Sequence, residues 1–180
     1  MASGPEGGKG VFVTVGTTEF DALIAEVSTA AFASTLEGLG FGWLRLQVGR
    51  GAAPGVPEAS YVGRVHVSWF RFSAALPEEM ARAFVVVSHA GAGCVMEALE
   101  LRRRLVVCVN DALMDNHQAE LADALEAKRY LVVARRPRDA ARAVEAAATA
   151  ADLEAYPPVD TAAFPRLVDA EMRRRRCAIS

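Results

Sequence analysis

Val85-Val86-Val87-Ser88-His89-Ala90-Gly91-Ala92-Gly93-Cys94-Val95-Met96-Glu97 runs from a continuous β-branched stretch through a Gly-Ala-Gly turn into residues at helical spacing. It reads as a buried strand, a tight loop and a helix start. In outline that is a phosphate cradle: glycines at 91 and 93 let the backbone come close to an anion, and the free N–H groups of the helix face it. Ser88 and His89 lie at the mouth of the same turn. Glu97 falls about one turn into the helix, where a carboxylate could accept both hydroxyls of a ribose diol. The plainer alternative is a βα turn whose glycines only permit close packing, with Glu97 as an acidic residue suited to a helix N-terminus.

Outward from that stretch the same pattern repeats. Gly10-Val11-Phe12-Val13-Thr14-Val15-Gly16 is an apolar strand ending in glycine. Thr17 and Thr18 follow, and Thr18 with Asp21 has the form of a helix capping box. Phe20, Leu23, Ile24 and Val27 would be the buried face of that helix. Alternation predicts strands over Trp43–Val48 and Val65–Phe70, with a Gly/Pro-containing loop from Gly49 to Pro57 between them. A short helix is expected over Ala74–Ala83, and the helix from Gly93 reaches about Leu101. Further strands are expected at Leu105–Val109 and Tyr130–Ala134, and helices over His117–Ala127, Asp139–Ala151 and Thr161 to about Arg174.

Strands alternating with helices, several of them apolar throughout, describe an α/β fold: a Rossmann-like parallel sheet with helices on both faces. Its ligands sit beyond the carboxyl ends of the strands. Gly16-Thr17-Thr18, Ser88 to Gly93, and Asn110 to Gln118 all follow strands, so three polar or glycine-rich loops share one rim. At 180 residues the chain holds one substantial core. The expected organisation is a flexible leader over residues 1–9, a single domain over 10–172 ending in a helix, and a basic tail over 173–180.

Composition excludes several classes. With 52% hydrophobic and 23% charged residues the chain is ordinary globular protein, and a net charge of −2 gives no drive toward nucleic acid. Three cysteines, Cys94, Cys108 and Cys177, lack paired or metal-like spacing and point to a reducing compartment. No stretch approaches the ~18 apolar residues of a membrane span, and the N-terminus lacks a signal-peptide core. No Walker loop, complete dinucleotide fingerprint or Asp-x-Asp metal pair occurs. A leaving diphosphate would therefore be stabilised by backbone N–H groups, with no metal and no cofactor expected.

Four blocks carry a family resemblance: Val13 to Asp21, Leu46 to Gly51, Ser88 to Gly93, and Asn116-His117-Gln118-Ala119-Glu120-Leu121-Ala122. Together they resemble the soluble catalytic subunit of the UDP-N-acetylglucosamine transferase of the dolichol-linked oligosaccharide pathway, itself similar to the donor-binding half of MurG, a GT-B glycosyltransferase. The likeness covers roughly residues 10 to 134, and Tyr156-Pro157-Pro158 extends it weakly. It implies an inverting β1,4 transfer of N-acetylglucosamine from UDP-N-acetylglucosamine to N-acetylglucosaminyl-diphosphodolichol at the cytosolic face of the endoplasmic reticulum. A GT-B enzyme has two such domains and this chain one, so the resemblance implies a membrane-anchored, acceptor-binding partner and a hexosyltransferase active only as a complex.

Carried over residue by residue, the resemblance gives Gly16, Thr17, Thr18, Gly91, Ala92 and Gly93 to the diphosphate. It gives Glu97 to the ribose, and Asn116 with Gln118 to the sugar. His117 orients that last loop. His89 stands as a candidate base or diphosphate contact, or as a hydrogen-bonding spacer. Two departures from the family are visible: Cys94 replaces the usual serine, and Leu101-Arg102-Arg103-Arg104 replaces Gly-Lys-Pro, which puts that loop's conformation in question. The tail from Arg173 to Ser180 matches a farnesylation box at Cys177 beside basic charge. Two rival readings keep the pocket but change its use: a non-catalytic sugar-nucleotide-binding regulator, or a GT-B-like sugar-nucleotide hydrolase or epimerase.

Overall fold

A computed structural model describes residues 8–110 and 116–157. The expected leader over 1–9 is seen only at its last two positions. The terminal helix from Thr161, the basic tail and Cys177 lie outside the described residues.

Seven strands form one sheet: β1 (Gly10–Thr14), β2 (Trp43–Gln47), β3 (Ala59–Val62), β4 (Val65–Phe70), β5 (Val85–His89), β6 (Arg104–Cys108) and β7 (Val132–Ala134). Their order across the sheet is β3-β4-β2-β1-β5-β6-β7. All neighbours are parallel except β3, which runs antiparallel to β4 at one edge. Among the described residues six α-helices accompany them: α1 (Asp21–Val27), α2 (Ala30–Gly38), α3 (Leu76–Arg82), α4 (Ala92–Glu100), α5 (Asn116–Ala127) and α6 (Ala140–Thr149). No helix among the described residues is long and apolar enough to cross a membrane.

Alternation along the strands divides the core in two. Val11, Val13, Val85, Val87 and Val106 face Leu23, Ile24, Val27, Phe32, Leu36 and Val144, so α1, α2 and α6 cover that side. Phe12, Val86, Leu105 and Val107 face Met80, Val95, Leu99 and Leu125 of α3, α4 and α5 on the other. Both faces are covered, which is why β1, β5 and β6 carry consecutive apolar residues, with polar ones only at their ends. The sheet is the expected Rossmann-like one, with β3 as an antiparallel addition.

Three local expectations need correction. Thr18 and Asp21 form no capping box: α1 starts at Asp21 behind Phe20 without a side-chain cap, and Asp21 Oδ1 accepts the Ala52 N–H instead. Two elements, α2 and β3, have no counterpart in the sequence reading; α2 begins where Thr29 caps the Phe32 N–H. The strand expected from Tyr130 begins only at Val132, because Arg129 adopts a left-handed φ of 59° and the Tyr130 N–H returns to the Leu125 carbonyl. Those two residues close α5.

Candidate functional site

The chain leaves β1 for the β2–β4 side of the sheet and later returns to β5 on the other side, so the connections diverge between β1 and β5. At such a switch point the loops at the carboxyl ends part and leave a crevice. The register aligns Thr14 with Ser88, and His89 with Cys108. The carboxyl ends of β1, β5 and β6 therefore lie side by side on one rim, and the loops after β1 and β5 open there; residues 111–115 of the loop expected after β6 lie outside the described residues.

The first loop is a tight turn. Gly16 has φ +62°, a left-handed conformation that glycine adopts without the penalty of a Cβ. Thr17 is exposed and Thr18 half-buried, and neither caps a helix. Thr18 instead uses its carbonyl to accept the Arg50 N–H at 3.0 Å, tying this turn to the loop after β2.

The second loop presses against the first. The His89 ring fills the space beside both glycines: a Cβ at Gly16 would lie 2.8 Å from His89 Cε1, and one at Gly91 would overlap Nε2. Gly91 is thus required for space, and the imidazole is the wedge between the turns. Burial holds the His89 pKa below its ordinary 6.5, with the Thr14 backbone carbonyl acting in the opposite direction. Nδ1 is buried and makes no hydrogen bond of ordinary geometry. Burial thus favours the uncharged form of the ring, and the backbone N–H groups at the helix start supply positive potential beside it.

That potential is at the start of α4. Gly91 is the N-cap and supplies no side chain, and Val95 is the first residue to bond back to it, through its N–H to the Gly91 carbonyl. The N–H groups of Ala92, Gly93 and Cys94 thus lack intrahelical partners at the positive end of a nine-residue helix. Ala92 and Gly93 are exposed. Beneath them Ser88 is fully buried and donates its hydroxyl to the His89 carbonyl. Cys94 is half-buried; desolvation and then the Glu97 charge raise its thiol pKa, while the Thr14 side chain lowers it.

Glu97 stands one turn above the cradle, half-buried, its side chain without a hydrogen bond or ion pair among the described residues. Its carboxylate is free to accept. Asn116, His117 and Gln118 make the first turn of α5, beyond the end of β6; their side chains lie outside what the structure describes. The rim thus assembles Gly16, Thr17, Thr18, His89, Gly91, Ala92 and Gly93, with Glu97 above and Ser88 below.

Three residues to which the sequence reading gives no role lie directly under this rim. Gln47 is 2% exposed and donates to the carbonyls of Gly16 and Arg71, each at 2.7 Å. Its Oε1 accepts the hydroxyl of buried Thr14 at 2.6 Å, and Thr14 Oγ1 accepts the Gly16 N–H at 3.1 Å. Arg71 donates to the carbonyls of Gly49 and Gly51. Gln47 falls where Arg45 does in the alternation Leu44, Leu46, Val48, so nothing local in the sequence marks it.

Residues 10–156 match the glycosyltransferase family 28 C-terminal domain. The UDP-N-acetylglucosamine transferase subunit ALG13 of Homo sapiens is 46% identical over 123 residues, covering 68% of this chain and 11% of the human protein. The subunit of the same name from Eremothecium gossypii is 32% identical over 188 residues, covering 91% of this chain and 93% of the relative. The chain therefore spans only about a tenth of its human relative but nearly all of the fungal one. An NMR solution structure of ALG13 is similar at a TM-score of 0.65 and 28% identity, covering 89% of this chain and 94% of that one. MurG from Acinetobacter baumannii reaches the same TM-score at 16% identity, covering 94% of this chain and 51% of MurG, a likeness of fold that matches one half of a GT-B enzyme. With the domain model spanning both cores and a relative of similar length at 32% identity, the chain belongs to the glycosyltransferase family 28 C-terminal domain family, among the ALG13 subunits.

Proposed function

We propose that this chain is the donor-binding subunit of a glycosyltransferase that uses UDP-N-acetylglucosamine, and that it acts only with a membrane-anchored partner carrying the acceptor site. The observation that carries the reading is the uncapped start of α4, pressed by His89 against the Gly16 turn at the switch point of the sheet. A diphosphate seated there meets the N–H groups of Ala92, Gly93 and Cys94, and Glu97 is placed to accept from a ribose. Asn116, His117 and Gln118 open the adjoining helix and would meet the sugar.

The transfer is a single displacement. The acceptor's 4-hydroxyl oxygen bonds to the anomeric carbon of N-acetylglucosamine as the bond from that carbon to the β-phosphate oxygen breaks, inverting the centre to a β1,4 link. Negative charge collects on the leaving UDP, where the α4 amides stabilise it without reorganising. The hydroxyl proton goes to a base, which is His89 or a group on the partner. Burial favours the uncharged form of His89, which is the form that accepts a proton. The acceptor is N-acetylglucosaminyl-diphosphodolichol, at the cytosolic face of the endoplasmic reticulum.

The test is co-expression with the candidate membrane subunit and transfer of radiolabelled N-acetylglucosamine to the lipid acceptor. Transfer by the pair and by neither chain alone is the expected result. UDP binding with no transfer by the pair would make the chain a sugar-nucleotide-binding regulator, and turnover by the isolated chain would make it a hydrolase or epimerase. Glu97→Ala should weaken UDP binding by roughly tenfold, the scale of a lost hydrogen bond to a charged group, with the melting temperature kept. Unchanged affinity would remove Glu97 from the ribose.

A further inference from the structure

We infer that Gln47 and Thr14 are positioning residues for the diphosphate, acting through the Gly16 turn, and that Arg71 fixes this pair from the neighbouring strand end. The inference rests on the donor-binding reading above. Gly16 is held at both of its backbone polar groups by one closed circuit: its N–H goes to the Thr14 hydroxyl, that hydroxyl to Gln47 Oε1, and Gln47 Nε2 back to the Gly16 carbonyl. Such a circuit fixes the orientation of the peptide on each side of residue 16, not only its distance from β2. Gln47 has no spare donor, because its second N–H is given to the Arg71 carbonyl.

The three members come from three adjacent strand ends, β1, β2 and the segment just after β4, so the sheet itself sets their spacing. Arg71 extends the hold to the next loop. It donates at 2.8 Å to the Gly51 carbonyl and at 3.3 Å to that of Gly49, its own carbonyl accepts the Gly49 N–H, and Gly49 packs so closely on the Thr18 carbonyl that a Cβ there would overlap it. The turn that meets the anion is therefore backed by hydrogen bonds from beneath and by backbone from the side. Buried and fully paired, the circuit stiffens a loop that would otherwise have to be ordered by the ligand.

UDP is titrated into the full 180-residue chain and followed by NMR shifts, well below the melting temperature of each variant. Thr14→Val keeps the shape and removes the hydroxyl, leaving the Gly16 N–H and Gln47 Oε1 without partners; UDP affinity should fall by roughly tenfold or more. Thr14→Ser restores the hydroxyl and should return binding to within about threefold of the original chain. Arg71→Ala, at an exposed position, keeps the backbone carbonyl that holds Gln47 and removes the guanidinium that holds Gly49 and Gly51; it should weaken binding in the same direction and serves if Thr14→Val does not fold. A purely structural role predicts a lower melting temperature with UDP affinity unchanged in Thr14→Val and Arg71→Ala, and that outcome overturns the inference while leaving the donor-binding reading intact. An unmodified chain that does not bind UDP overturns both.

Discussion

At His89 the same packing that wedges the two turns apart has a thermodynamic consequence. Burial keeps its folded pKa below the ordinary 6.5, so just below that pH the unfolded chain binds more protons than the folded one. The neutral ring's contribution is present in full above pH 6.5 and is lost as the pH falls from there toward the folded value. Thermal melts across pH 7.5 to 5 should show stability falling below about pH 6.5, and His89→Gln should flatten the fall. A His89→Gln variant with the same pH dependence would show the ring is not responsible. Individual residues of the rim were legible to different degrees for a physical reason. Gly16, Gly91 and Gly93 announce themselves because they stand within four residues of the end of an apolar strand, a local signal. Gln47 and Thr14 do not, because their partners are 33 positions apart and meet only once β1 and β2 are paired in register.

Helix ends show how an unfavourable residue is tolerated when the surrounding hydrogen bonds are complete. α4 stops with Arg102 at φ +54°, its N–H bonded to the Leu99 carbonyl and that of Arg103 to the Ala98 carbonyl. This is a Schellman end built on arginine. Arg103 and Arg104 spend their guanidinium groups on the carbonyls of Ala81, Ala147 and Ala150 at other helix ends, whereas Arg102 is exposed. Arg102→Gly should therefore raise stability by about 0.5–1 kcal/mol, read in chemical denaturation. No change, or a loss, would mean that the arginine side chain contributes more than its backbone costs. The same scale explains the two unread elements. β3 is an outer strand whose residues are exposed or half-buried, so no buried period marks it. α2 follows α1 after a two-residue break at Ser28 and Thr29, and only the capping geometry of Thr29 separates them.

Over the whole molecule, the architecture was readable because the strands β1, β5 and β6 are apolar on both faces, which only a sheet covered on both sides can bury. The crevice between the β1 and β5 loops then follows from topology and not from any one motif. The helical cover on one side depends on a late arrival. α6 returns from β7 to lay Ala140, Ala143, Val144 and Ala147 against β5, β6, β7, α1 and α2, filling a core that the first forty residues began. A chain cut after Ala134 should lose several kcal/mol from a total of about 5–15 and fail to melt cooperatively, whereas a cut after Pro157 should retain cooperative melting. Cooperative melting of the shorter chain would assign α6 a peripheral role.

During synthesis, the arrangement of α6 sets an order of events. β1, α1 and α2 emerge from the ribosome early, yet the surface they share with α6 stays open until residue 149 has cleared the exit tunnel. Nascent chains of this protein therefore travel with a greasy flank exposed until α6 docks, and over that interval they are candidates for chaperone capture.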